Sequence, residues 1–156
     1  MTTTIQIAPV KKTLLLAATP AHAFDVFTNG LDRWWPRTHG IGSAPLVKSI
    51  IEPRLGGRWY TTHEDGSEAV IGRMLVWEPP HRLVFSWEIS ADWKPSTTVA
   101  SEVEVTFTPE GPGATRVNLE HRKFESLGAE GGPKMRGSVD GGWTAILDLF
   151  KAEAEH

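Results

Sequence analysis

Apolar and polar positions alternate with a period of two through the middle of the chain, and with a period near 3.6 at its end. Residues 101–108 show the first pattern most clearly, with Val103, Val105 and Phe107 on one face and Glu102, Glu104 and Thr106 on the other. Residues 116–121 return with Val117, Leu119 and His121 together. Residues 46–52, 58–63, 68–77 and 82–90 predict four further strands, the last with Leu83, Phe85, Trp87 and Ile89 on one face. Val10–Leu16 ends in an apolar run and predicts another. Asp65-Gly66 tolerates the positive φ values of a hairpin turn, and the prolines of 78–81 and 109–113 suit turns rather than a central ladder. Residues 91–100 read as a loop.

Helical signals flank this block. Thr19 as N-cap and Pro20 at the first helical position open a helix carrying Ala23, Phe24 and Phe27, and Asn29-Gly30 stops it. A second short helix covers 31–35 and ends at Pro36. Residues 125–132 read as a flexible connection, and a long helix is expected from Pro133. Met135, Val139, Trp143, Ile146 and Phe150 form its apolar stripe, with Leu147 flanking it. Gly137, Gly141 and Gly142 fall in its first half. They imply a close backbone approach, a kink or a mobile entrance, or else a helix that begins near Gly142. The order is strand, two short helices, six strands in hairpin succession and one helix. It predicts an α+β domain of about seven antiparallel strands curved around the last helix, with room for a ligand between them.

Composition narrows the function. The 156 residues fit one domain over 1–156, with a core at about 10–153. The absence of Cys excludes disulfides, Cys-ligated zinc and thiol catalysis. A net charge of −3 argues against a nucleic-acid partner. No apolar run is long enough for a membrane span, and the N-terminus shows no signal-peptide pattern, so a cytoplasmic protein is expected. Seven Trp beside a single Tyr are the compositional oddity.

Several short motifs then agree with one another. They are Glu52-Pro53-Arg54, Gly56-Gly57-Arg58-Trp59-Tyr60, Asp65-Gly66-Ser67-Glu68, Gly72-Arg73 and the run Trp77-Glu78-Pro79-Pro80-His81-Arg82-Leu83-Val84-Phe85-Ser86-Trp87. Leu119-Glu120-His121, Gly142-Trp143 and Ile146-Leu147 continue the series. Together they resemble proteins similar to the C-terminal domain of the heat-shock-protein-90 ATPase activator, in the START-like helix-grip (SRPBCC) superfamily. The resemblance runs from about residue 10 to 153. It implies the helix-grip fold and a cavity, in a superfamily that includes lipid carriers, hormone receptors and cyclases. It also raises a chaperone as a partner, although this chain has no room for the activator's additional N-terminal domain.

The expected cavity residues are Trp34, Trp35, Trp59, Phe85, Trp87, Phe107, Leu119, His121, Trp143, Ile146, Leu147 and Phe150. Strand alternation lets only one of Trp59 and Tyr60 face inward. Trp93, in the loop, is the tryptophan expected at the surface. His121 shares parity with Val117 and Leu119 and is the candidate catalytic residue, as a general acid or base. Arg54, Arg58, Arg73 and Arg82 could each bind a carboxylate if turned inward, and otherwise form surface ion pairs. Glu102 and Glu104 are expected to be solvated rather than a catalytic pair. No His-x-His or His-Glu-x-x-His spacing suggests a metal, and no cofactor is implied. Ser43, Ser86 and Ser138 lack a nucleophile context. The leading expectation is a binder of a small hydrophobic or aromatic molecule or lipid. The alternatives are a co-chaperone or interaction module, and a cyclase-, dehydratase- or hydrolase-like enzyme using His121.

Overall fold

A computed structural model describes residues 7–39 and 44–156. Seven strands, β1 (Val10–Leu16), β2 (Leu46–Ile51), β3 (Arg58–His63), β4 (Glu68–Glu78), β5 (Arg82–Trp87), β6 (Ser101–Pro109) and β7 (Thr115–Arg122), form one sheet. Their order is β1-β7-β6-β5-β4-β3-β2, and every neighbouring pair is antiparallel. Helices α1 (Pro20–Thr28) and α2 (Leu31–Trp34) follow β1, and α3 (Gly128–Ala154) closes the chain. This is the α+β helix-grip arrangement, a curled half-barrel around a long C-terminal helix.

Each strand hides the face that its alternation marks. On β6 and β7, Val103, Val105, Phe107, Val117, Leu119 and His121 are fully buried. The opposite face carries ions: Arg122 pairs with Glu104 at 2.9 Å and with Glu120 at 3.0 Å, and Arg82 also pairs with Glu104. Glu102 contacts Lys123 at 2.9 Å. These two glutamates are therefore half-buried members of an ion ladder, where solvation alone was expected. The Arg82 guanidinium, with Arg122 beside it, holds the Glu104 carboxyl below its usual range. Such pairs each contribute about 0–1 kcal/mol, so the ladder aligns the outer face more than it stabilises the fold.

At α1 the Thr19 side chain accepts from the His22 amide at 3.2 Å, and Pro20 occupies the first helical turn. Phe24 and Phe27 then meet Phe107 edge-on at 5.3 and 6.0 Å, seating α1 against β6. The C-terminal helix differs from the expected one. A 3-10 turn at Phe124–Leu127 leads directly into α3 at Gly128, so residues 125–132 are helical rather than a flexible connection. Lys123, at φ 64°, turns the chain out of β7, and buried Phe124 anchors the turn. Pro133 sits inside the helix instead of opening it. Its missing N–H leaves only the carbonyl four residues earlier, on exposed Ala129, without a helical partner. The expected strand at 82–90 also stops sooner, at Trp87, and Ile89 forms an isolated bridge to Pro95.

One glycine makes the sheet's curl possible. A Cβ on Gly72 would stand 1.6 Å from the Ser86 carbonyl oxygen, because β4 presses on β5 just before the bulge at Met74/Val76. Gly72→Ala is therefore expected to destabilise the protein by about 2 kcal/mol or more. Denaturant midpoints of the variant and the parent measure it, and equal midpoints would contradict the close approach.

Candidate functional site

Five tryptophans run in succession through the interior, the first three pairs edge to face and the last tilted. Trp34 meets Trp35 at 6.1 Å, Trp35 meets Trp59 at 4.9 Å, Trp59 meets Trp87 at 5.9 Å, and Trp87 meets Trp143 at 5.8 Å. Burying an indole requires an acceptor for its N–H, or about 1–3 kcal/mol is lost. Trp34 donates to the Val26 carbonyl at 2.8 Å, Trp35 to that of His39 at 3.3 Å, and Trp59 to Ser49 Oγ at 2.9 Å. Trp143 donates to His121 Nδ1 at 3.0 Å. Trp87 Nε1 is enclosed and finds no partner among the described residues.

The array ends at a cavity of about 260 Å³ between the sheet and α3. Trp35, Thr38 and His39 line it from the segment that begins at the end of α2, and Ile71 and Trp87 line it from β4 and β5. Ser138, Val139, Gly142, Trp143 and Ile146 face it from α3, and Trp93 closes one edge. Trp93 is 40% exposed and holds φ 63°, a left-handed backbone uncommon for a bulky residue. With exposed His39 it marks the mouth. His39 is the one ionisable side chain on the described wall. A Cβ on Gly142 would meet nothing within 4 Å, so this glycine leaves room in the cavity and makes no close helix contact. The same holds for Gly137 and Gly141, which rules out the close backbone approach expected there, and α3 runs unbroken through all three.

His121 stands behind this wall and is not part of it. An indole can only donate, so Nδ1 of His121 is the acceptor from Trp143 and Nε2 carries the ring proton. That proton is donated to Ser101 Oγ at 2.7 Å. Burial pushes the His121 pKa down to about 3. Both nitrogens are thus engaged and the ring is neutral, which leaves no lone pair for a substrate proton. The imidazole fastens α3 to β7 and β6.

Of the other expected cavity residues, Trp35, Trp87, Trp143 and Ile146 line the cavity. Trp34, Trp59, Phe85, Phe107, Leu119, Leu147 and Phe150 are buried in the core around it without lining it. Trp59 faces inward, whereas Tyr60 is half-buried under the Arg58 guanidinium, 4.4 Å from its ring. The four arginines all point away: Arg58 and Arg54 to Glu52 at 3.3 and 3.5 Å, Arg73 to Glu88 at 3.9 Å, and Arg82 to Glu104. Ser43 lies outside the described residues. Sequence reasoning missed Thr38, His39, Ile71, Trp93, Ser138, Val139 and Gly142 as wall residues. Ser138 and Val139 could have been found one helical turn before Gly142 and Trp143. Among the described residues no three His, Asp or Glu side chains gather as a metal site, and no helix is long and apolar enough to cross a membrane.

The family model described as "Activator of Hsp90 ATPase homolog 1-like protein" matches residues 17–155. No curated protein sequence matches the chain. Among solved structures, an anthrahydroquino-gamma-pyrone synthase, Txn09, solved in a complex, is 38% identical with TM-score 0.67, over 94% of this chain and 96% of that one. CalC, a self-sacrificing resistance protein from Micromonospora echinospora, is 29% identical with TM-score 0.67, over 94% and 93% of the two chains. CalU16 from the same organism shares the fold at 23% identity and TM-score 0.63, over 94% and 75%.

The buried imidazole makes stability depend on pH. Between about pH 6.5 and pH 3 the unfolded chain binds a proton at His121 and the folded chain does not. Acidification through that window should therefore remove about 1.4 kcal/mol per pH unit at this residue. His121→Gln is expected to be less stable near neutrality, by about 1–3 kcal/mol, with the gap narrowing as pH falls. Denaturant titrations at several pH values check it; parallel stability–pH curves would contradict it.

Proposed function

The chain belongs to the family of Activator of Hsp90 ATPase homolog 1-like proteins, and on that footing we propose that it binds a small planar aromatic molecule in the cavity between the sheet and α3. The observation that carries this reading is the wall itself: four indoles, four aliphatic or glycine positions and a single ionisable residue around about 260 Å³. Flat indole faces and edges suit a flat ring system better than a flexible acyl chain, because ring stacking adds to area burial and the ligand surrenders little conformational freedom. Txn09, with 38% identity over nearly the whole chain, is named for making an anthrahydroquino-gamma-pyrone, a ring system of this kind, which supports the same class of ligand here. A chaperone partner would use an outer surface and draws no support from the cavity.

A second reading is enzymatic: the chain would transform such a ligand. It is favoured by His39, Thr38 and Ser138, which bring an imidazole and two hydroxyls to the wall. His39 would then take the proton-transfer role that the sequence suggested for His121. His39→Ala would lower turnover much more than affinity if this reading holds.

Intrinsic tryptophan fluorescence tests the first reading. Planar bicyclic and tricyclic aromatics are expected to change the emission saturably, and fatty acids to do so weakly. Gly142→Leu should fill the cavity and weaken binding by about tenfold or more, while helix propensity favours Leu over Gly by roughly 0.5–1 kcal/mol, so stability is retained. Unchanged affinity in that variant would place the ligand elsewhere and overturn the reading.

A further inference from the structure

Trp93 occupies a backbone position that the same chain gives to glycine in a matching loop. The Ser90 carbonyl accepts from the Trp93 amide at 2.9 Å, and the Ser90 amide donates to the Lys94 carbonyl at 2.9 Å. The β3–β4 hairpin is closed by the same two bonds: the His63 carbonyl accepts from Gly66 at 2.9 Å, and the His63 amide donates to Ser67 at 3.0 Å. In such a three-residue loop the last position turns left-handed, which favours glycine. Gly66 takes it at φ 84°, whereas the other loop holds a tryptophan there at φ 63°. Left-handed backbone at so bulky a residue is strained, and Trp93 is also 40% exposed. The other six tryptophans each meet an aromatic ring within the protein; Trp93 meets none among the described residues.

Strain and exposure both weigh against a tryptophan here in the empty protein, yet this is the tryptophan at the mouth. Trp93 borders the cavity together with Ser138 and Val139 of α3. Ala91, two residues earlier, lies beside the same helix, where a Cβ on Gly131 would stand 3.4 Å from its own. We propose that Trp93 is a ligand-contacting residue, whose indole covers the outward end of a planar aromatic ligand and finds in it the ring partner that the protein does not supply. The inference rests on the binding reading above and deepens it by naming the side chain that covers the ligand. An aromatic ring gains from offset or edge contacts with a second ring beyond the area it buries. A ligand in the cavity would give Trp93 that contact and take apolar surface out of water. Backbone strain at a binding site is the expected mark of a side chain kept for its ligand rather than for the fold.

Glycine suits φ 63° and exposes no indole, so Trp93→Gly separates a ligand contact from a packing residue. The denaturant midpoint of this variant is expected to equal or exceed that of the parent, while its affinity for dibenzofuran, a neutral planar tricyclic probe, falls about tenfold. Equilibrium dialysis measures the affinity without relying on tryptophan emission. Trp93→Phe keeps a ring at the position and should retain most of the affinity. In the parent protein, dibenzofuran should shift the Trp93 indole resonances in step with its binding curve, a readout that needs no variant. Unchanged affinity in Trp93→Gly, or Trp93 resonances that ignore bound dibenzofuran, overturns the proposal while leaving aromatic binding intact. A midpoint that falls together with the affinity assigns Trp93 to the packing of the fold and overturns it as well. Failure of dibenzofuran and of the other bicyclic and tricyclic aromatics to bind the parent removes the binding reading, and this one with it.

Discussion

One neutral imidazole holds the closing helix to the open face of the sheet. His121 on β7 accepts from Trp143 on α3 and donates to Ser101 on β6. A half-barrel sheet has a concave apolar face that must be covered, and hydrophobic burial alone lets a helix slide along it. The two directional bonds remove that freedom, because both partners are buried and each loses a hydrogen bond if the helix shifts. Phe150 reinforces the same registration by meeting Phe27 and Trp34 at 5.3 and 5.2 Å.

The cavity follows from where the helix is fastened. Besides the 3-10 turn, α3 packs chiefly against β1, α1 and α2. On the β4 and β5 side of the concave face, Ile71 and Trp87 border the cavity. Trp143 has two duties there: its N–H points to the fastening, and the same side chain forms part of the cavity wall. The cavity wall and the helix registration therefore share a residue.

Most of the fold was legible because one-sided burial writes itself into a period of two. Val103, Val105 and Phe107 could face inward only together, and His121 had to follow Val117 and Leu119. The partners of His121 were not legible, since Ser101 and Trp143 lie 20 and 22 residues away and meet it only across the tertiary fold. The start of α3 was obscured by Pro133, whose preference for a first helical turn is local, whereas the turn before the helix is held by Phe124 buried in the tertiary core. At the cavity, strand parity identified Trp87 as inward and the helical stripe identified Trp143, but Phe107 and Leu119 share that parity, and Phe150 that stripe, and are core. Alternation says which face of a strand is covered. It does not say where along that face the cover stops.

The two halves of α3 have different compositions. Residues 128–142 contain six glycines and Pro133, and residues 143–154 contain none of either. Each such glycine weakens a helix interior by roughly 0.5–1 kcal/mol relative to Ala, so the half before Trp143 is much the weaker hydrogen-bonded column. Opening of that half, with its backbone amides trading hydrogen for deuterium, would leave the Trp143 and Phe150 anchorage closed. The helix is built as a firm post with a compliant flap, and the flap is the part that borders the mouth.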